Sequence, residues 1–384
     1  MRPAIDGLPG SRIREVANAG MGRDDVLAFW FGESDDVTPE PIRNAAARAL
    51  EAGETFYSHN LGLPELRADI ARYASTLHGP IGAERIVVTS SGVTALMLAT
   101  QMLLGPGDEV VAVVPVWPNL TAQPAILGAQ VQRFALQPHD GAWRLDLAGL
   151  CERITAKTRV LLVNAPNNPT GWTLSRAEQQ VLLEHCRCTG TWIVADEVYE
   201  RIWFGGADGE AAPSFLDIAA PDDRLIVTQS FSKSFLMTGW RLGWLVLPAG
   251  CEAASAKMVE FNTSCSPVFV QRGGQAAMAI ADAFVPGLVT HLRACRDRLV
   301  DGLRAMPGVQ VVSPPGGMYA FFRVEGQEDS LALAKALVAG PGLGLAPGVA
   351  FGPEGEGWLR WCFASRDLTR IDLGLQRLRT GLQL

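Results

Sequence analysis

One lysine in this chain follows a hydroxyl-rich turn where a buried strand is expected to end. The run is Ser230-Phe-Ser-Lys233, and Gly239-Trp-Arg241-Leu-Gly243 comes five residues later. The preceding Arg224-Leu-Ile-Val-Thr-Gln229 is largely apolar and β-branched, which predicts a strand that carries Lys233 to its end. An amine in that position can form a Schiff base with an aldehyde, while the hydroxyls and the Arg241 guanidinium hold a phosphate. A solvated surface lysine is the plain alternative, and this run alone does not decide between them.

Other residues able to do chemistry also sit at expected strand ends. Asn164-Ala-Pro-Asn-Asn168-Pro-Thr-Gly171 is a rigid loop rich in side-chain amides, which can hydrogen-bond a ligand or simply make a turn. In Ala195-Asp196-Glu-Val-Tyr199, the aspartate follows the apolar Trp192-Ile-Val and needs a cationic or hydrogen-bonding partner. A protonated pyridine nitrogen would serve, as would the N–H groups of a helix it caps. Thr89-Ser-Ser91-Gly92-Val93-Thr94 joins a strand to an apolar helix, a place where backbone N–H groups can meet an anion. The loop lacks the Gly-Lys-Ser/Thr ending of a nucleotide-triphosphatase loop. Trp117, in Val114-Pro-Val-Trp-Pro-Asn119, can stack on a flat heterocycle or pack in the core. Arg360, in the apolar Trp358-Leu-Arg-Trp-Cys-Phe363, needs an anion: a substrate carboxylate or an internal ion-pair partner.

The elements that must position these residues follow from the apolar pattern. Strands are expected at 86–89, 109–114, 159–164, 191–195, 225–228 and 244–247, with helices at 95–104 and 176–186 between them. Such alternation implies an α/β fold whose mostly parallel sheet is covered on both faces and binds ligands at its C-terminal strand ends. Beyond it, a helix at 285–306, apolar runs at 310–312 and 318–324, a helix at 330–338, a strand at 358–363 and a last helix predict a smaller α+β domain. The expected organisation is residues 1–45 packing with the small domain, 46–280 as the large domain, and 281–384 as the small one.

Bulk properties exclude several classes. The net charge of −7 with no basic run argues against nucleic acid as a partner. No apolar stretch reaches the roughly 20 residues that span a bilayer, and no signal-peptide pattern opens the chain. Seven cysteines in 384 residues form no disulfide framework or zinc-ligand spacing, so buried reduced thiols, no metal and a cytoplasmic location are expected.

Taken in order, these motifs resemble the class I/II aminotransferases, the aspartate-aminotransferase-like pyridoxal-phosphate enzymes of fold type I, from about Leu27 to the C-terminus. The carrying pieces are Ser-x-Ser-Lys, five residues, then Gly-x-Arg-x-Gly, with Asn-Pro-Thr-Gly and Asp-x-x-Tyr. The resemblance implies pyridoxal 5'-phosphate as cofactor. It makes Lys233 the Schiff-base lysine and acid/base, Asp196 the partner of the ring nitrogen, and Asn168 and Tyr199 partners of the ring oxygen. Trp117 would stack on the ring, Ser230, Ser232 and Arg241 would bind the phosphate, and Ser91, Gly92 and Val93 would add backbone amides. Arg360 would clamp the substrate α-carboxylate beside Gly32 of the N-terminal substrate loop, with Asn168 and Trp117 adjoining the substrate. Tyr57 would reach the phosphate of the neighbouring subunit, which implies a homodimer with shared sites.

The chain departs from the aspartate-specific pattern in places. Ser34 replaces a proline after Gly-Glu, Leu120 stands where that branch has histidine, and Glu260 but no arginine precedes Ser264-Cys-Ser-Pro267. Neutral or aromatic amino acids are therefore expected as substrates, with Trp30, Phe31, Trp117 and Tyr319 available to line the pocket. The expected activity is ping-pong transfer of an amino group between an L-amino acid and a 2-oxo acid. The rivals are a C–S lyase or other β-eliminating enzyme on the same cofactor, and a non-catalytic effector-binding module.

Overall fold

The structure, a computed structural model, describes residues 1–384 apart from Asp208. Runs of Val, Ile and Leu too apolar for any wet face form its central sheet. The seven strands are β1 (Ile86–Thr89), β2 (Glu109–Val114), β3 (Gln130–Ala135), β4 (Thr158–Asn164), β5 (Trp192–Asp196), β6 (Leu225–Ser230) and β7 (Gly243–Val246). Their order is β1-β7-β6-β5-β4-β2-β3, all parallel except β7, which runs against both neighbours. Along β2, Val111 and Val113 enter one core while Val110, Ala112 and Val114 enter another across the sheet. Each buried valine contributes roughly 1.5–3 kcal/mol of transfer free energy. The register aligns Asn164 with Asp196, Asp196 with Thr228, and Gly243 with both Ser230 and Thr89. One edge of the sheet thus collects the ends of five strands.

Strand β3 lies outside the expected set. Its Gln130, Gln132 and Arg133 interrupt the apolar run because it is an edge strand and only partly covered.

Four antiparallel strands form a second sheet: β8 (Val309–Val311), β9 (Tyr319–Val324), β10 (Ala346–Pro347) and β11 (Trp358–Cys362), in the order β8-β9-β11-β10. The N-terminal segment joins this half. Helix Arg12–Gly20 packs on helix Ser330–Ala339, and Leu27–Ala28 pairs in parallel with Leu343–Gly344.

A 37-residue helix, Val268–Arg304, crosses from one half to the other without a break. The sequence predicts its start at 285; the turns before that contain Gly273 and Gly274, both weak helix formers. The two glycines are there for packing. A Cβ on Gly273 would lie 2.6 Å from Trp240, and one on Gly274 would lie 2.7 Å from Leu242.

All seven cysteines are free; Cys186, Cys295 and Cys362 are buried as expected, whereas Cys151, Cys251 and Cys265 are half-buried and Cys188 is exposed near the end of its helix. Among the described residues no helix is long and apolar enough to cross a membrane, and no cluster of three or more His, Cys, Asp or Glu could hold a metal ion.

Candidate active site

The strand ends open onto a cavity of about 610 Å³. Its floor comes from the large sheet: Asn164 ending β4 and Asn168 beyond it, Asp196 ending β5 and Tyr199 beyond it, and Ser230 ending β6 with Ser232 and Lys233 beyond it. Its roof comes from the chain termini: Ile13, Arg14, Trp30 to Glu33, Tyr319 and Arg360. Neither half closes the cavity alone.

Lys233 Nζ donates to the Gly32 carbonyl at 2.6 Å and lies 5.7 Å from the centre of the Tyr199 ring. Burial brings its pKa down to about 8; Arg360 and Arg241 push the same way, against Cys362 and Glu33. A large fraction of the amine is therefore neutral and nucleophilic near pH 8. A Cβ on Gly32 would run into the Tyr319 hydroxyl, so the loop reaches Lys233 only as glycine.

Asp196 is 5% exposed, and the structure gives it a long 3.5 Å bond from the Val198 N–H and no ion pair. Burial raises its pKa to about 6, with the Val198 N–H, the Lys233 charge and the Thr228 hydroxyl only partly opposing this. A cationic ring nitrogen placed against it would supply the missing partner. The Tyr199 hydroxyl meets that of Tyr319 at 2.6 Å, and burial holds the Tyr199 pKa well above its ordinary value.

Asn168 ties floor to roof. Its Oδ1 accepts from Arg360 Nη1 at 3.0 Å, which leaves its amide NH₂ to donate into the cavity. Its carbonyl accepts from the Trp117 N–H at 2.9 Å, and its own N–H donates to Asn164 Oδ1 at 2.7 Å. Both X–Pro bonds of this loop, Ala165–Pro166 and Asn168–Pro169, are cis.

Arg360 is 2% exposed on β11, between the rings of Tyr319 at 4.5 Å and Phe351 at 5.0 Å. Nη2 donates to the Trp30 carbonyl, and Nε is buried without a partner. No carboxylate of the described residues pairs with it. The internal ion pair left open by the sequence thus has no counterpart, and a buried unpaired guanidinium calls for an incoming anion.

At the far end, helix Gly92–Leu103 points its N-terminus at the cavity. Ser91 does not line the cavity. It has φ 120° and caps the helix, its Oγ accepting from the Thr94 N–H at 3.0 Å. That leaves the first two helical N–H groups, of Gly92 and Val93, without intrahelical partners. Arg241, held at φ 53° just before β7, brings its guanidinium to the same end and donates to the Thr238 carbonyl at 2.5 Å. Two backbone donors, two serines and one arginine suit a phosphate.

Besides Ser91, Tyr57 is the expected site residue that the fold leaves out of the cavity lining. It is 88% exposed and does not line the cavity. Conversely, Ile13, Arg14, Glu33, Asn164, Val198 and Thr238 line it without an expected role. Ile13 and Arg14 carry no local signal, since a surface-type helix brings them in from the chain's start.

The chain was compared with known proteins. The model of "Aminotransferase class I and II" matches residues 24–378. The chain belongs to that family. This aminotransferase is 31% identical to an aspartate aminotransferase of Pyrococcus horikoshii over 97% of its own length and 95% of the relative's. It is 33% identical to an arginine–pyruvate transaminase of Pseudomonas aeruginosa, covering 94% of itself and 91% of that protein. Its fold superposes on the crystal structure of Thermotoga maritima aspartate aminotransferase with a TM-score of 0.91 at 30% identity, over the full length of both chains. Enzymes of the family use pyridoxal phosphate. The residues of this cavity fit it: a buried carboxylate without an ion-pair partner for the ring nitrogen, a donor set suited to a phosphate, and an amine on the same cavity.

Proposed function

We propose that this aminotransferase holds pyridoxal 5'-phosphate at Lys233 and moves an amino group between an L-amino acid and a 2-oxo acid by a ping-pong mechanism. The observation that carries the reading is the convergence of the Lys233 amine, the unpaired Asp196 carboxylate and the unpaired Arg360 guanidinium on one cavity. When bound, pyridoxal phosphate supplies an aldehyde that condenses with amines and a ring that withdraws electrons from the substrate Cα. Asp196 would keep the ring nitrogen protonated, Asn168 and Tyr199 would donate to the ring oxygen, and Trp117 would cover its face. Gly92, Val93, Ser230, Ser232 and Arg241 would hold the phosphate. Arg360 would grip the substrate α-carboxylate in a bidentate clamp beside Gly32 and so fix the direction of the Cα–H bond. Lys233 Nζ would then take the Cα proton.

Ile13, Trp30, Phe31 and Tyr319 at the roof support a neutral or aromatic substrate side chain. Arg14, at the rim, lays its charge over the Phe31 ring at 4.9 Å. Phe56, Tyr57 and Phe261 are exposed by 83, 88 and 89%, which supports a second copy covering them and Tyr57 entering its neighbour's site. Seven unpaired cysteines support a cytoplasmic location.

The test is a panel of amino acids assayed with and without 2-oxoglutarate or pyruvate. Oxo acid formed only with an acceptor, fastest from neutral or aromatic donors, is the expected result. Pyruvate and ammonia released without an acceptor would contradict transamination, and a preference for dicarboxylic donors would contradict the substrate class.

A further inference from the structure

The turn after β5 has two faces. Asp196, Val198 and Tyr199 face the cavity, whereas Glu197 and Glu200 do not line it and are 3 and 5% exposed behind it. Glu200 Oε2 lies 3.0 Å from His78 Nε2, and His78 Nδ1 lies 2.8 Å from Asp217 Oδ1. The other oxygen of Asp217 accepts from Arg176 at 2.9 Å and from the Ser214 N–H at 3.2 Å. Glu197 is held by Ser214 Oγ at 2.5 Å and by the Phe215 N–H at 3.2 Å. Nearby Arg201 serves neutral acceptors, Tyr73 Oη at 3.0 Å and the Gly209 carbonyl at 3.1 Å.

His78 closes this cluster. Its side chain is 2% exposed, and both ring nitrogens face carboxylates, which only a doubly protonated imidazolium satisfies by donating twice. It is also the last residue of helix Pro64–His78, where the terminal carbonyls favour a cation. Burial opposes the charge, but Glu200, Asp217 and Glu197 outweigh it and lift the pKa to about 10. Burial and the Glu200 charge together raise Glu197 to about 8. Three carboxyl groups therefore crowd the back of the turn, Glu197 largely protonated at neutral pH, and His78 is the cation between Glu200 and Asp217.

We propose that His78 is a positioning residue for the cofactor-facing turn: clamped between Glu200 and Asp217, its imidazolium holds Asp196 and Tyr199 in place from behind. This rests on reading Asp196 and Tyr199 as cofactor partners. The backbone fixes the turn at its ends, through Glu197 N–H to the Thr228 carbonyl at 3.1 Å and Ala212 N–H to the Glu200 carbonyl at 2.7 Å. Between them, the Glu200 N–H donates to the Glu197 carbonyl at 2.9 Å and Tyr199 meets Tyr319 on the cavity side, while the side chains of Glu197 and Glu200 tie the back. Without the imidazolium, adjacent buried carboxylates must take up protons or move apart, and Glu200 moves with its neighbour Tyr199.

The test is His78→Gln, alone and with Glu200→Gln, measured for cofactor affinity of the apoenzyme, kcat and KM. The single variant should stay folded by circular dichroism, bind pyridoxal phosphate about tenfold more weakly and lose about tenfold in kcat, with substrate KM within about twofold. The double variant removes the stranded charge with its partner and should recover most of both losses. In apoenzyme melts, the raised pKa means that the His78 contribution is complete below its ordinary 6.5 and is lost as pH rises toward 10. His78→Gln should flatten that alkaline fall. A single variant that loses melting temperature but keeps native cofactor affinity and kcat would overturn the proposal, as would a double variant no better than the single or unfolded. Should the single variant fail to fold, the cofactor affinity of the double variant decides in the same way. Asp196→Ala with native cofactor affinity would instead refute the underlying site reading.

Discussion

The floor and the roof of the cavity are built by different means. On the floor, Asn164, Asp196 and Ser230 end adjacent strands, and the hydrogen-bonded ladder sets their spacing before any side chain is chosen. On the roof, Ile13, Arg14, Gly32, Tyr319 and Arg360 come from chain segments some 300 residues apart, joined by a short parallel pair and side-chain bonds. The floor is therefore suited to a part that never changes, a cofactor, and the roof to a part that varies, the substrate. Asn168 is the bridge, bonded to Arg360 above and to the Trp117 strand end below.

Substitutions can break this division, and the largest effect belongs to the floor. Lys233→Ala should lose at least about 10²–10⁴-fold in kcat from the missing base alone, while amino-acid binding through Arg360 survives. Arg360→Ala comes next: the expected loss is about 10²-fold in kcat/KM, read mainly as raised KM, with cofactor content unchanged. Loss of cofactor in that variant would mean that the roof arginine supports the floor, and the division would fail.

A smaller, graded effect concerns pH. Since Lys233 has its pKa lowered to about 8, capture of pyridoxal phosphate by apoenzyme should quicken as pH rises through 8 and then level off. Stopped-flow absorbance measures it; a rate still climbing toward pH 10.5 would deny the depressed pKa. Arg14→Ala should do least, changing kcat/KM for neutral and aromatic donors by less than about threefold. A larger loss would make the rim charge part of substrate recognition.

The same contrast explains what the sequence disclosed. Floor residues were legible because each chemical group sits within a few residues of an apolar run, so Lys233, Asp196 and Asn168 announce themselves as polar residues at strand ends. Arg360 was legible for the opposite reason, as a charge inside an apolar strand. Arg14 was not, because a partly exposed arginine on an amphipathic helix reads like any solvated one. His78 was hidden in the same way: its two carboxylate partners lie 122 and 139 residues away and meet only in the fold. Strand β3 escaped notice because edge position permits polar residues, and the Val268 helix start because close-packed glycines imitate a break.

If Lys233 is the residue bonded to the cofactor, borohydride must trap the cofactor on it. Purified enzyme is reduced, digested, and its peptides are mapped by mass. A single pyridoxyl label is expected, on Lys233 in the peptide that contains Ser230 and Ser232. A label on another lysine, or none on enzyme that turns over amino acids, would contradict it.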